Sequence, residues 1–151
     1  MKYEICLNGL PAGSLQIRQE GLYEILTADC AVQQGVYRLY AETEDSFDLL
    51  GIPAPVSGKM HLCRRFPKGR LPDPETALFF LSTQEPWEPF SGEIAGIGVT
   101  DVCFRRSRSS DLYCESVQMP GPLALLPFFS QCRSYRLYGQ RAILLERSSV
   151  P

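Results

Sequence analysis

No part of the chain approaches the roughly 20 consecutive apolar residues that a membrane-spanning helix needs, so no spanning segment is expected. No two cysteines stand in C-x-x-C spacing, which removes the commonest zinc and redox signatures. Histidine occurs once, at His61, and there is no long block of like charge. The glycine-rich stretch Gly92-Glu93-Ile94-Ala95-Gly96-Ile97-Gly98 lacks the Lys-Ser/Thr ending of a phosphate loop and opens no amphipathic helix. Its glycines read instead as a bulge, a bend or a close backbone contact in a strand from Ile94 to Phe104. Near the N-terminus Glu4 and Asn8 interrupt any signal-peptide core, so a cytoplasmic protein without membrane association is expected.

Six cysteines are present (Cys6, Cys30, Cys63, Cys103, Cys114 and Cys132), each within an apolar or strand-like stretch. Disulfide scaffolds are shorter, denser in cysteine and exported. Reduced thiols acting as small hydrophobes fit this pattern better. Net charge is −2, but its sign alternates along the chain. Residues 61–72 carry four basic groups and no acidic one, and residues 73–101 carry six acidic groups and no basic one. The overall balance argues against a dedicated nucleic-acid binder, which is usually basic.

What the chain does contain is period-two alternation. Tyr3, Ile5 and Leu7 alternate with Lys2, Glu4, Cys6 and Asn8, and Leu15 and Ile17 alternate with Ser14, Gln16 and Arg18. Side chains on a strand point to opposite faces in turn, so each segment buries one face. Further strands are expected at Leu22 to Cys30, Val36 to Ala41, Phe47 to Ile52 and Lys59 to Phe66, separated by glycine, proline and acidic turns. Because sequential strands usually lie side by side, these six predict an antiparallel meander.

The stretch from Pro67 to Pro74, rich in proline, suits a connection between halves at 1–66 and 75–147 of one β-rich domain spanning 1–151. Beyond it, Ala77 to Leu81 reads as a buried strand. Gln84 to Gly92 reads as a loop carrying Trp87 and Phe90. Asp111 to Gln118 reads as a strand, and Pro122 to Cys132 as one short helix limited by Pro127. Tyr135 to Tyr138 and Arg141 to Glu146 flank Gly139-Gln140 as a hairpin, and the tail after Arg147 is expected to fray. The fold class is therefore mainly β. A meander of about six strands would pack against a second set of four to five, as a sandwich or a partly open barrel.

The motifs Gly21-Leu22-Tyr23, Tyr37-Arg38-Leu39, Leu50-Gly51-Ile52 and Arg64-Arg65-Phe66 resemble an uncharacterised family of small bacterial proteins from Firmicutes. The likeness covers mostly the N-terminal half, and Pro122 to Ser130 fits the same pattern. It implies a self-contained bacterial domain and brings no activity, cofactor or catalytic residue with it.

Candidate chemistry is sparse. His61 and Cys63 share a strand face and could form a thiolate–imidazole couple, but a metal site would need further ligands. Asp45 with Asp48, and Glu85 with Glu88, are carboxylate pairs in turns and read as solvated groups. No catalytic, cofactor or metal residue is assigned. Trp87 and Phe90, framed by Pro86 and Pro89, form the leading candidate contact for a protein partner, because a stiff loop loses little entropy on ordering. Arg64, Arg65, Arg105, Arg106 and Arg108 form a candidate basic edge. The expected function is a non-enzymatic binding or assembly module, with a homodimer through an exposed edge strand as one form of it. The alternatives are a single-stranded nucleic-acid-binding barrel using those arginines with Tyr37 or Tyr40, and an enzyme using His61 and Cys63.

Overall fold

A computed structural model of the chain describes residues 1–107, 109–117 and 122–148. It is mainly β. The strands are β1 (Lys2–Leu7), β2 (Leu10–Glu20), β3 (Tyr23–Cys30), β4 (Arg38–Glu42), β5 (Ser46–Gly51), β6 (Ala54–Val56), β7 (Lys59–Pro67), β8 (Leu78–Ser82), β9 (Glu88–Ile94), β10 (Ile97–Ser107), β11 (Ser110–Ser116), β12 (Arg133–Leu137) and β13 (Gln140–Ser148). The expected helix near 122–132 is a six-residue 3-10 segment, Leu126–Gln131, with Pro127 in its first positions. Proline is tolerated there because its missing N–H has no partner to lose.

Four hairpins turn on two residues that both have positive φ: Asn8-Gly9, Ser57-Gly58, Ala95-Gly96 and Tyr138-Gly139. That pairing matches the twist of antiparallel strands and favours glycine at the second place. The last hairpin therefore turns one residue earlier than Gly139-Gln140. Ala95-Gly96 is likewise a turn between β9 and β10, which splits the single strand expected from Ile94 to Phe104.

The chain divides into two compact units, Met1–Gln84 and Glu85 onward. The division falls after β8, not in the proline-rich stretch 67–74. In the first unit the strand order is β6-β7-β3-β2-β1-β8-β4-β5. The meander thus holds for β1–β2–β3 and then breaks, because β3 pairs with β7 and β8 inserts between β1 and β4. Ile5–Leu7 pairs in parallel with Phe79–Leu81, while the other pairings of the unit are antiparallel. The run Leu78-Phe79-Phe80-Leu81 suits that central place because both of its faces are apolar contacts. Phe79 and Leu81 join the core with Ile5, Leu15, Leu26 and Leu50. Phe80, on the other face, meets Tyr40 and Phe47 at centroid distances of 5.6 and 5.9 Å.

A face-to-face sandwich does not form in this unit, since its eight strands follow one hydrogen-bonded order. The sheet coils on itself instead. β5 and β7 stand six places apart, which would separate them by about 29 Å in a flat sheet at ~4.8 Å per strand. Yet Arg64 Nη1 on β7 donates to the Leu50 carbonyl on β5 at 2.8 Å. A Cβ added at Gly51 would lie 2.9 Å from the Leu62 side chain. Side chains, in place of a backbone ladder, bridge the far strands around the apolar interior.

In the second unit the order is β12-β13-β11-β10-β9, antiparallel throughout. Its core gathers Ile94, Val99, Val102, Tyr113, Ile143 and Leu145 under Leu125 and Phe128 from the 3-10 segment. Gln118 and the tail beyond Ser148 lie outside the described residues. No helix among the described residues is long and apolar enough to cross a membrane.

Candidate functional site

Trp87 is 4% exposed and packs edge-on against Tyr135 at 6.2 Å, so it is not presented to a partner in this conformation. Phe90 is half-buried between Phe104 and Tyr113, at 5.8 and 5.3 Å. The stretch read as a contact loop contains β9, whose apolar side chains fill the sheet's own core. A large aromatic beside proline carries the same sequence signature in either role.

Of the five arginines, Arg64 and Arg65 belong to the first unit and Arg105 and Arg106 to the second. Arg64 lies 4.8 Å from the Phe66 ring and bonds the Leu50 carbonyl, so it serves closure of the first unit. Its neighbour Arg65 alternates to the outer face and stacks over Tyr23 at 4.3 Å. Arg105 and Arg106 belong to β10 in the second unit, where Arg106 Nε pairs with Asp111 at 3.0 Å across the hairpin. Arg108 lies outside the described residues. Of the proposed stacking residues, Tyr40 is 0% exposed and Tyr37 packs against the core.

His61 stands opposite Asp29 in the β3–β7 register, with Nδ1 2.8 Å from Asp29 Oδ1. Cys63, two residues along, is exposed. Among the described residues no three His, Cys, Asp or Glu side chains are placed to hold a metal ion.

The carboxylate pairs part company. Asp45 accepts from the Thr43 hydroxyl at 3.0 Å in its turn. Asp48 is 6% exposed and receives both Nη atoms of Arg70. Donation to Asp48 raises the Arg70 pKa, against the lowering effect of burial. Glu85 accepts from the Tyr138 hydroxyl and from the Trp87 backbone N–H, the latter at 3.2 Å. Glu88 projects from β9 into solvent.

Two carboxylates with structural roles carry no local sequence signal. Glu115 on β11 accepts the backbone N–H groups of Ala124 and Leu125 at 2.8 and 2.9 Å, pinning the start of the 3-10 segment over the core. Hydrogen bonds to a charged acceptor contribute about 1.5–3 kcal/mol. Glu115→Ala is therefore expected to lower stability by about 2 kcal/mol, read as a urea midpoint shift at constant m-value.

Glu146 accepts from Arg133 Nη1 at 2.9 Å and from Ser110 Oγ at 3.0 Å. The Arg133 bond first, then the Ser110 bond, hold its carboxyl below the ordinary range. A lowered folded pKa contributes stability that is present above the unfolded value and lost as pH falls through the folded one. Both side chains are about two-fifths exposed, so solvent screening limits the pair to under about 1 kcal/mol. The urea-midpoint gap between the wild type and Arg133→Met is expected to shrink from about pH 7 to about pH 3, as this carboxylate titrates.

The longer of the two terminal strands is β9. It ends the strand order and has no strand beyond it among the described residues. Glu88, Pro89, Ser91, Gly92 and Glu93 are exposed along it. Pro89 removes one backbone donor, but Phe90–Ile94 keep theirs. On β10 the register slips between Val99 and Val102, where Asp101 takes φ 56 and donates its N–H to Ser91 Oγ at 3.1 Å. The opposite terminal strand, β6, is only three residues long and carries Pro55 at its centre. Short, proline-bearing edges resist pairing, whereas β9 is seven residues long and its only charges are acidic. No family model, curated protein or solved structure matches the chain.

Proposed function

We propose that the protein is a non-enzymatic binding module that accepts an extended segment of a protein partner as an added strand along β9. The supporting observation is the seven-residue terminal strand with its exposed backbone edge. Strand addition draws affinity from main-chain hydrogen bonds and selectivity from alternate side chains. Here the charged side chains on offer are Glu88 and Glu93, so the segment that fits is basic. A second copy pairing antiparallel through the same strand would bring like charges together, which disfavours the homodimer. The likeness to small Firmicutes proteins is compatible with a self-contained bacterial module and adds no activity to it.

The test is an NMR titration with two peptides that favour strands, one alternating Lys with Val and one alternating Glu with Val. The reading expects shifts concentrated on Glu88–Ile94 with the lysine peptide, weakened by salt, and reversed in preference by Glu88→Lys with Glu93→Lys. Shifts centred elsewhere, or equal response to both peptides, would overturn it. The nucleic-acid alternative retains Arg65 stacked on Tyr23, but Arg64 and Tyr40 are engaged in packing. Absence of single-stranded DNA or RNA retention in a low-salt filter assay would remove that reading.

A further inference from the structure

Of the six cysteines, Cys103 and Cys114 are the two that face each other in the sheet register, directly opposite on β10 and β11. Directly opposite residues share a sheet face, with Cα atoms about 4.5–5.5 Å apart. A disulfide accepts Cα separations of about 4.4–6.8 Å. The Cβ atoms of such a pair stand about 4.5–5.5 Å apart, so reaching disulfide distance takes a closing movement of about 1 Å. The other strand cysteines have no such partner. Cys6 faces Pro11 and Phe80, Cys30 faces Gly13 and Met60, and Cys63 faces Thr27.

We propose that Cys103 and Cys114 form a redox-addressable pair, oxidised to a cross-strand disulfide by a small-molecule disulfide such as oxidised glutathione. Cys103 is half-buried and Cys114 is buried, which sets the order of events. The Cys103 thiol loses its proton and its sulfur attacks one sulfur of the reagent. That breaks the reagent's S–S bond, leaves a mixed disulfide on Cys103 and releases one small thiol. Cys114 then loses its proton and attacks the Cys103 sulfur, expelling the second small thiol. Two protein thiols are oxidised, one small disulfide is reduced to two thiols, and no other reactant is needed. Burial pushes Cys114 up to about 12 and raises Cys103 as well. Little thiolate is present at neutral pH, so the pair stays reduced until such an oxidant accumulates. The cross-link would tie β11 to β10, the strand that carries β9, whether or not β9 accepts a partner strand.

The experiment incubates the full chain with oxidised glutathione, alkylates remaining thiols under denaturing conditions and maps the tryptic peptides without reduction. Trypsin cuts at Arg105 and Arg106, so the two cysteines leave the digest on separate peptides unless they are joined. The expected result is one linked Cys103–Cys114 peptide and the loss of those two alkylation sites. Cys63→Ser should leave the link intact, which separates it from exchange through the exposed thiol. Alkylated Cys103 and Cys114 alongside glutathione on Cys63, or a link between any other pair, would overturn the proposal. The intact chain carries the test, so the result does not depend on whether a Cys114 variant folds.

Discussion

Replacing Arg70 with methionine is expected to destabilise the first unit by about 3–5 kcal/mol, the cost of leaving a buried carboxylate without its partner. Asp48 is the only buried charged residue among those described, and both guanidinium Nη atoms of Arg70 reach it. The reverse change, Asp48→Asn, should cost less. The Arg70 side chain is about one-third exposed and can turn part of its charge to water. Adding Asp48→Asn to Arg70→Met should recover much of the loss, because it removes the stranded charge while keeping the shape. Such recovery marks the two residues as coupled. Urea midpoints for the single and double variants would measure it. If the two single losses simply add, the ion pair is not the tie between β5 and the segment after β7.

The second large effect concerns Gly13 on β2. A Cβ there would meet the Asp29 carbonyl oxygen at 2.3 Å and Cys30 Cα at 2.8 Å, both backbone atoms of β3. Backbone cannot rotate away as a side chain can, so Gly13→Ala has to push two paired strands apart. The expected loss is about 3 kcal/mol, at the upper end of ordinary overpacking. Gly98→Ala is the matched control, since nothing lies within 4 Å of its added Cβ. It should stay within about 0.5 kcal/mol of the wild type. Equal thermal unfolding midpoints for the two variants would contradict the close approach of β2 and β3.

Local grammar was legible in the sequence, and long-range pairing was not. Ile5 and Leu15 could be placed inside by alternation alone, and both are buried. The stretch Asn8 to Gly13 reads as a turn, and the hairpin there is confined to Asn8-Gly9, with β2 already under way at Leu10. Ala95-Gly96 gives no such signal, because alanine seldom adopts the φ of 49 it takes here. Ala77 to Leu81 reads as a buried strand and Phe79 and Leu81 are buried on β8, though Leu78 is exposed, but nothing in it says that its parallel partner is β1. That choice follows from the free edge left beside Ile5–Leu7, 74 residues away. Arg64 illustrates the same limit: its charge suggests a surface role, and its bond to Leu50 is set by the coiling of the sheet. The β9 edge was hidden because Pro86, Trp87 and Pro89 suggest a loop, whereas Trp87 turns inward and the strand begins at Glu88.

Strand addition requires β9 to be an open edge, and residue-resolved amide hydrogen exchange on the chain alone tests that most directly. The N–H groups of Phe90–Ile94 that point away from β10 should exchange far faster than those bonded to it, giving an alternating pattern along the strand. Uniform protection through all five residues, at the level of β2, would mean that the edge is already covered and would contradict the account.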